Sequence, residues 1–194
     1  MFVAITKNKY LSKKDIMHYL AIESHIDYLI VRTPMTSDEL VNWINLLVQY
    51  HFPKKKIIIH ENIDVLMRCE LTAIHFKALN NQDLFIKQRF PHIQVSKSTH
   101  TSDAIAEAER RNLDFVLFSH IFETNSKPNC LPRTANEIEA ALQYSIPVVA
   151  LGGINHRTMS DLPSGFKGIA GISLFEKNSV PFLERLKEVW KSYV

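Results

Sequence analysis

Eight short apolar runs, most of them rich in β-branched residues, recur along this chain and limit its fold more than any other feature. They are Phe2-Val3-Ala4-Ile5, Tyr28-Leu29-Ile30-Val31, Ile57-Ile58-Ile59, Ala73-Ile74-His75-Phe76, Ile93-Gln94-Val95, Phe115-Val116-Leu117-Phe118, Val148-Val149-Ala150-Leu151 and Gly168-Ile169-Ala170-Gly171-Ile172. Most are continuously apolar rather than alternating, the pattern of strands buried on both faces of a parallel sheet. Helical signatures fill the gaps. Ser12 and Asp15 open one that runs through Ala21, and Ser37-Asp38-Glu39 open another through Val48, with Leu40, Trp43, Ile44 and Val48 on one face. Ser102-Asp103 precede a third, Asn136-Glu137 begin one that ends near Ser145, and Val180 to Val194 close the chain. Weaker helical stretches lie near 62–69 and 82–88.

Eight strands, each followed by a helix or helical turn, make an α/β protein with a (β/α)8 TIM barrel as its single domain, residues 1–194. An open doubly wound sheet is the alternative, but that fold opens on a glycine-rich turn, and no glycine precedes Gly152. The five glycines all fall between Gly152 and Gly171, where about thirteen or fourteen would be spread along an average chain of this length. A residue so scarce and so confined marks a window in which backbone must approach something closely.

Several function classes recede. Net charge is +3, and Lys54-Lys55-Lys56 and Arg110-Arg111 are the tight basic runs, so no nucleic-acid partner is expected. Cys69 and Cys130 form no C-x-x-C pair, consistent with free thiols in a reducing compartment. No stretch reaches the roughly 20 apolar residues of a membrane span, and the first ten residues lack the pattern of a signal peptide. The expectation is a cytoplasmic protein without membrane contact. Nucleophile elbow, HExxH and P-loop patterns are absent, and no metal or cofactor is expected.

Barrel chemistry sits in the loops that follow the strands. Gly152-Gly153-Ile154-Asn155 after the seventh run and Gly171-Ile172-Ser173 after the eighth read as a phosphate site, since glycines let backbone N–H groups approach an anion; the plain alternative is a pair of tight turns. His120 closes the sixth run, where an imidazole gains or loses a proton near neutral pH; the plain alternative is a buried histidine bonded to a backbone carbonyl. His60 and His100 are further mouth histidines. Arg32, after the second run, suits a carboxylate or phosphate, or an ion pair with a neighbouring acid. Ser96, Lys97 and Ser98 are expected in the loop after the fifth run. Glu61 is the one acid in this set.

Three of these segments resemble the thiamine phosphate synthase/TenI family. Phe115-Val116-Leu117-Phe118-Ser119-His120-Ile121-Phe122-Glu123-Thr124-Asn125-Ser126-Lys127 resembles its sixth-strand segment. Ile146-Pro147-Val148-Val149-Ala150-Leu151-Gly152-Gly153-Ile154 resembles its seventh-strand phosphate loop, and Gly168-Ile169-Ala170-Gly171-Ile172-Ser173 its eighth-strand loop. The likeness is clear over 95–176 and fainter, but in register, over 1–94. The family holds a magnesium-dependent synthase, which joins a pyrimidine pyrophosphate to thiazole phosphate, and a metal-free thiazole tautomerase.

Residue by residue, this chain leans to the TenI-type tautomerase branch. The synthase pattern Gln-Leu-Arg-Glu-Lys corresponds to Ile30-Val31-Arg32-Thr33-Pro34, Asn-Asp-Arg to His60-Glu61-Asn62, and His-Leu-Gly-Gln-x-Asp to His75-Phe76-Lys77-Ala78-Leu79-Asn80. Asparagine is a far poorer magnesium ligand than a carboxylate. The tautomerase branch carries Gly-His where the synthase has Gly-Pro, and Ser119-His120 keeps the histidine. The resemblance then implies His120 as the acid/base. It implies a phosphate anchored on Gly152, Gly153, Ile172 and Ser173, with Thr124, Ser126 and Lys127 as donors. Arg32 is the expected carboxylate partner. The implied ligand is a small-molecule thiazole phosphate, and a homodimer is possible. A non-catalytic regulatory protein that keeps the phosphate site is the rival reading, and thiamine phosphate synthase activity a third.

Overall fold

The computed structural model describes residues 1–124, 129–176 and 178–191. Each apolar run is a strand: β1 Phe2–Ile5, β2 Tyr28–Val31, β3 Ile57–His60, β4 Ala73–Phe76, β5 Gln94–Thr99, β6 Phe115–Ser119, β7 Val148–Leu151 and β8 Gly168–Gly171. Every strand pairs in parallel with its sequence neighbours, and β8 returns to β1 with Ile169 opposite Phe2, so the sheet closes into a barrel. The helices among the described residues are α1 Lys13–Ala21, α2 Ser37–Gln49, α3 Ile63–Arg68, α4 Gln82–Arg89, α5 Ser102–Arg110, α6 Ala135–Ala141, α7 Ser173–Glu176 and α8 Val180–Lys191. Only the single 3-10 turn Met159–Asp161 stands between β7 and β8.

The continuous apolar runs build two cores. Val3, Ile5, Ile30, Ile58, Ala73, Phe115, Leu117, Val149 and Ala170 fill the barrel. Their neighbours in sequence, among them Ala4, Leu29, Ile57, Ile74, Val116 and Ile169, face out against the helices. Each side of the sheet is thus sealed from water, which is why the strands carry so little polar alternation. The helix starts follow local rules: Thr36 and Thr134 make reciprocal capping boxes with Glu39 and Glu137, and Asn62 and Thr101 accept from the N3 backbone. The buried face of α2 is Leu40, Trp43, Ile44 and Leu47; Val48, expected there, is half-buried one step round the helix. Helix α6 ends at Ala141, short of Ser145.

One boundary matters for the site. Strand β5 runs on to Thr99, so Ser96, Lys97 and Ser98 are strand residues rather than loop residues. Because a strand alternates, Ser96 and Ser98 point into the barrel while Lys97 points out. Lys97 lies 3.2 Å from the fully buried Asp83, which Arg111 also meets at 3.0 Å. This is a satisfied ion cluster behind the sheet, and Lys97 is not a mouth residue. No helix among the described residues is long and apolar enough to cross a membrane.

Candidate active site

The mouth residues divide into two arcs. The first runs from β6 to β8. His120 follows β6 and is 3% exposed. Its Nε2 lies 3.3 Å from the Cys130 carbonyl, and its Nδ1 is buried with no hydrogen-bond partner among the described residues. A carbonyl only accepts, so Nε2 carries a hydrogen, and in the neutral ring the lone pair is on Nδ1. The Arg133 N–H binds the His120 carbonyl at 2.9 Å, and the Arg133 guanidinium bridges the His100 carbonyl and Glu137. Arg133 therefore fixes the backbone around His120, a role that the sequence reading missed. His100 shares hydrogen bonds with both the carbonyl and the hydroxyl of Ser119.

The glycine window has a structural cause on this arc. The Ile121 and Phe122 N–H groups bind the carbonyls of Leu151 and Gly152, zipping the loop after β6 onto the loop after β7. Gly152 has φ +103, and a Cβ there would collide with the Cβ of His120. Gly153 has φ +69, and a Cβ there would collide with the carbonyls of Phe122 and Glu123. The close approach foreseen from composition is thus chain against chain at His120–Glu123. The Gly153 carbonyl is further tied by Asn155 Nδ2 and Thr158 Oγ1. Ile172 caps α7, its carbonyl accepting from Phe175 and Glu176, and Ser173 is the exposed first residue of that helix. Thr124 is half-buried. Ser126 and Lys127 lie outside the described residues.

The second arc runs from β2 to β5 and holds a cavity of about 480 Å³, lined by Arg32, His60, Glu61, Asn62 and Lys77 among others. Of the candidate mouth residues, Arg32, His60 and Glu61 line it; among the described residues His120, Thr124, Gly152, Gly153, Ile172 and Ser173 do not. Thr6, fully buried, exchanges hydrogen bonds with the Arg32 N–H and carbonyl and so fixes that backbone. Glu61 adopts φ 59 at the end of β3, its N–H held by the His75 carbonyl at 2.9 Å. A non-glycine residue in this left-handed region costs about 1–3 kcal/mol, and such strain gathers at functional sites. Burial pushes the Glu61 carboxyl up, but the bonds from Lys77 at 2.6 Å and Asn80 at 3.2 Å outweigh it and hold the acid below its usual range.

Two imidazoles lie behind Glu61. Burial, aided by the charges of Arg32 and Lys77, lowers His60 to about 4 against the pull of Glu61. His75, wholly enclosed in the barrel, is lowered to about 3, chiefly by burial. Its Nδ1 meets Ser96 Oγ at 2.8 Å and its Nε2 meets Ser98 Oγ at 2.9 Å. Both rings are neutral at physiological pH. The sequence reading took His75 as part of an apolar run; the available signal was strand alternation, which puts Ala73, His75 and Lys77 on one face.

The donor set at this arc suits a divalent metal poorly. Glu61 is its one carboxylate, and Lys77 neutralises it. Asn80 spends its amide nitrogen on Glu61 and its amide oxygen on the Gln82 N–H at 2.9 Å. Magnesium asks for carboxylate and water oxygens in a near-octahedral shell, and among the described residues no three His, Cys, Asp or Glu are placed to hold a metal ion.

Comparison with known proteins adds family context. Residues 2–175 match the TMP-TENI family, described as thiamine monophosphate synthase. The thiamine-phosphate synthase of Chlorobium phaeobacteroides is 27% identical over 191 residues, covering 93% of this chain and 90% of that one. That of Picrophilus torridus is 28% identical over 153 residues, covering 75% and 74%. Among solved structures, thiamine phosphate pyrophosphorylase from Pyrococcus furiosus superposes with a TM-score of 0.79 at 18% identity, covering 100% of this chain and 96% of that one. At that identity the superposition speaks for the barrel alone. The family match extends over nearly the whole chain, and the protein belongs to the TMP-TENI family of thiamine-biosynthesis enzymes.

Proposed function

We propose that this protein is a thiazole tautomerase that works without metal, with His120 as its acid/base. The observation that carries this reading is the setting of the His120 ring: Nε2 bonded to the Cys130 carbonyl, Nδ1 buried without a partner among the described residues. Unpaired buried polar atoms are rare and call for an explanation. A base awaiting a substrate proton is one. On this reading Nδ1 takes the acidic C2 proton of the thiazole carboxylate phosphate, giving a delocalised anion and an imidazolium. The same Nδ1–H then passes to the exocyclic carbon, the ring becomes aromatic, and the imidazole returns to its starting form. The cation that forms in between is held by the Cys130 carbonyl.

The remaining roles follow from position. Gly152, Gly153, Ile172 and Ser173 present the phosphate loops, with Thr124 beside them; Ser126 and Lys127 complete that group by resemblance. Arg32, across the mouth, is the carboxylate partner. The neutral rings of His60 and His75 add no competing charge.

A second reading, thiamine-phosphate synthase, is favoured by the names of the relatives. In the family that reaction uses magnesium, and the residues Glu61, Asn80 and Lys77 fit the ion poorly, so no step is derived through it. A spectroscopic assay with the thiazole carboxylate phosphate tautomer in chelator separates the two. Turnover supports the tautomerase. Absence of turnover, with magnesium-dependent joining of pyrimidine pyrophosphate to thiazole phosphate, supports the synthase.

A further inference from the structure

We propose that the end of the barrel over β3 and β4 is a carboxylate-binding site in which a hydrogen bond and a lysine stand where a divalent cation would otherwise be required. It rests on the tautomerase reading only for the choice of carboxylate as ligand. The side chains of Glu61 and Asn80 meet directly: Asn80 Nδ2 donates to Glu61 Oε1 at 3.2 Å. Two carboxylates at that separation repel unless a proton or a cation lies between them. A carboxylate and a carboxamide need neither. The contact is also built from both ends. Glu61 is held by the His75 carbonyl through its own N–H, and Asn80 by the Lys77 carbonyl through its N–H at 3.1 Å, while Asn80 Oδ1 accepts from the Gln82 N–H. Asn80 therefore offers a metal only the second lone pair of a neutral amide oxygen, a far weaker ligand than a carboxylate.

Charge then decides what the cavity takes. Lys77 Nζ lies 2.6 Å from Glu61 Oε2, and these two cancel. His60 faces the same carboxylate from 3.9 Å and is neutral. Arg32 is left, its guanidinium without a carboxylate partner among the described residues and its backbone fixed by Thr6. A single unbalanced guanidinium matches one planar oxyanion, which its fork binds with two parallel hydrogen bonds. It is a poor match for a multiply charged diphosphate, which needs a metal or several cations.

The test is binding and stability, not turnover. Thermal unfolding is followed with and without magnesium, and manganese binding by electron paramagnetic resonance, for the native protein and Asn80→Asp. The native protein is expected to ignore both ions. Asn80→Asp is expected to lose stability in chelator, to regain several degrees in Tm with magnesium, and to bind manganese. Manganese binding by the native protein, or a folded Asn80→Asp indifferent to both ions, overturns the proposal. Should Asn80→Asp fail to fold, titration calorimetry in chelator decides. Thiazole-2-carboxylate is expected to bind the native protein and to lose at least about tenfold in affinity in Arg32→Ala. Inorganic phosphate is expected to bind both proteins alike. Equal carboxylate affinity in the two proteins, or loss of phosphate binding alone, contradicts the site. A protein that binds carboxylate this way yet turns over no thiazole overturns the tautomerase reading and leaves this one standing.

Discussion

The two arcs of the mouth are built from different materials. From β6 to β8 the surface is mostly main chain: the loops after β6 and β7 are zipped together, Gly152 and Gly153 let them touch, and His120 is enclosed at the seam. From β2 to β5 it is side chains: Arg32, His60, Glu61, Lys77 and Asn80 surround or border the cavity, with His75, Ser96 and Ser98 beneath them. The first arc offers an imidazole whose ring is held by a backbone carbonyl. The second offers charges balanced to a single excess cation. A substrate with a phosphate at one end and a carboxylate at the other would use both.

The largest effect is expected at His120. Replacing it with Gln should lower turnover by about 10³-fold, the scale of a positioned acid/base, while circular dichroism and Tm stay near those of the native protein. Near-native turnover would remove the first arc from the chemistry. Gly152→Ala probes the same seam from the other strand. Positive φ and the collision with His120 together should cost about 3 kcal/mol, seen as a Tm drop of roughly 6–12 °C, with activity falling alongside because His120 moves.

The second arc has its own signature in pH. His60 and His75 are depressed to about 4 and about 3 from 6.5. Between those values and 6.5 the unfolded chain binds more protons than the folded one, so protons favour unfolding. Their contribution is complete above about pH 6.5 and drains away as pH falls through 4 towards 3, a loss on the order of a few kcal/mol in all. Tm should therefore be flat near neutrality and fall on acidification, more shallowly in His75→Gln than in the native protein. An equally steep fall in that variant would place the acid sensitivity elsewhere. The smallest effect is expected at Arg32, where Ala should raise KM by about 10- to 30-fold with little change in kcat, as for a group that binds ground and transition states alike.

The barrel was legible because its cause is local: eight doubly buried strands must be apolar on both faces, and that pattern is visible in one sequence. The positions of His120 and the glycine loops were legible because they follow the ends of apolar runs. The glycine signal was real but its cause was not readable, since contact between Gly152 and His120 joins segments about thirty residues apart, and only the closed sheet brings them into collision. Strand β5 was drawn too short because Ser96, Lys97 and Ser98 are polar. Two bond His75 inside the barrel and the third bonds Asp83 behind it, so pairing across strands replaced apolarity as the reason for burial. His75 and Arg133 were missed likewise, because their partners lie on other strands and loops.

Proton transfer without metal is put to the test by following one reaction mixture by phosphorus nuclear magnetic resonance. It contains the native protein, the thiazole carboxylate phosphate tautomer and pyrimidine pyrophosphate, first in chelator and then with magnesium. The account predicts conversion of the tautomer at the same rate in both conditions and no release of pyrophosphate. Pyrophosphate appearing only with magnesium, with the tautomer unchanged in chelator, would contradict it.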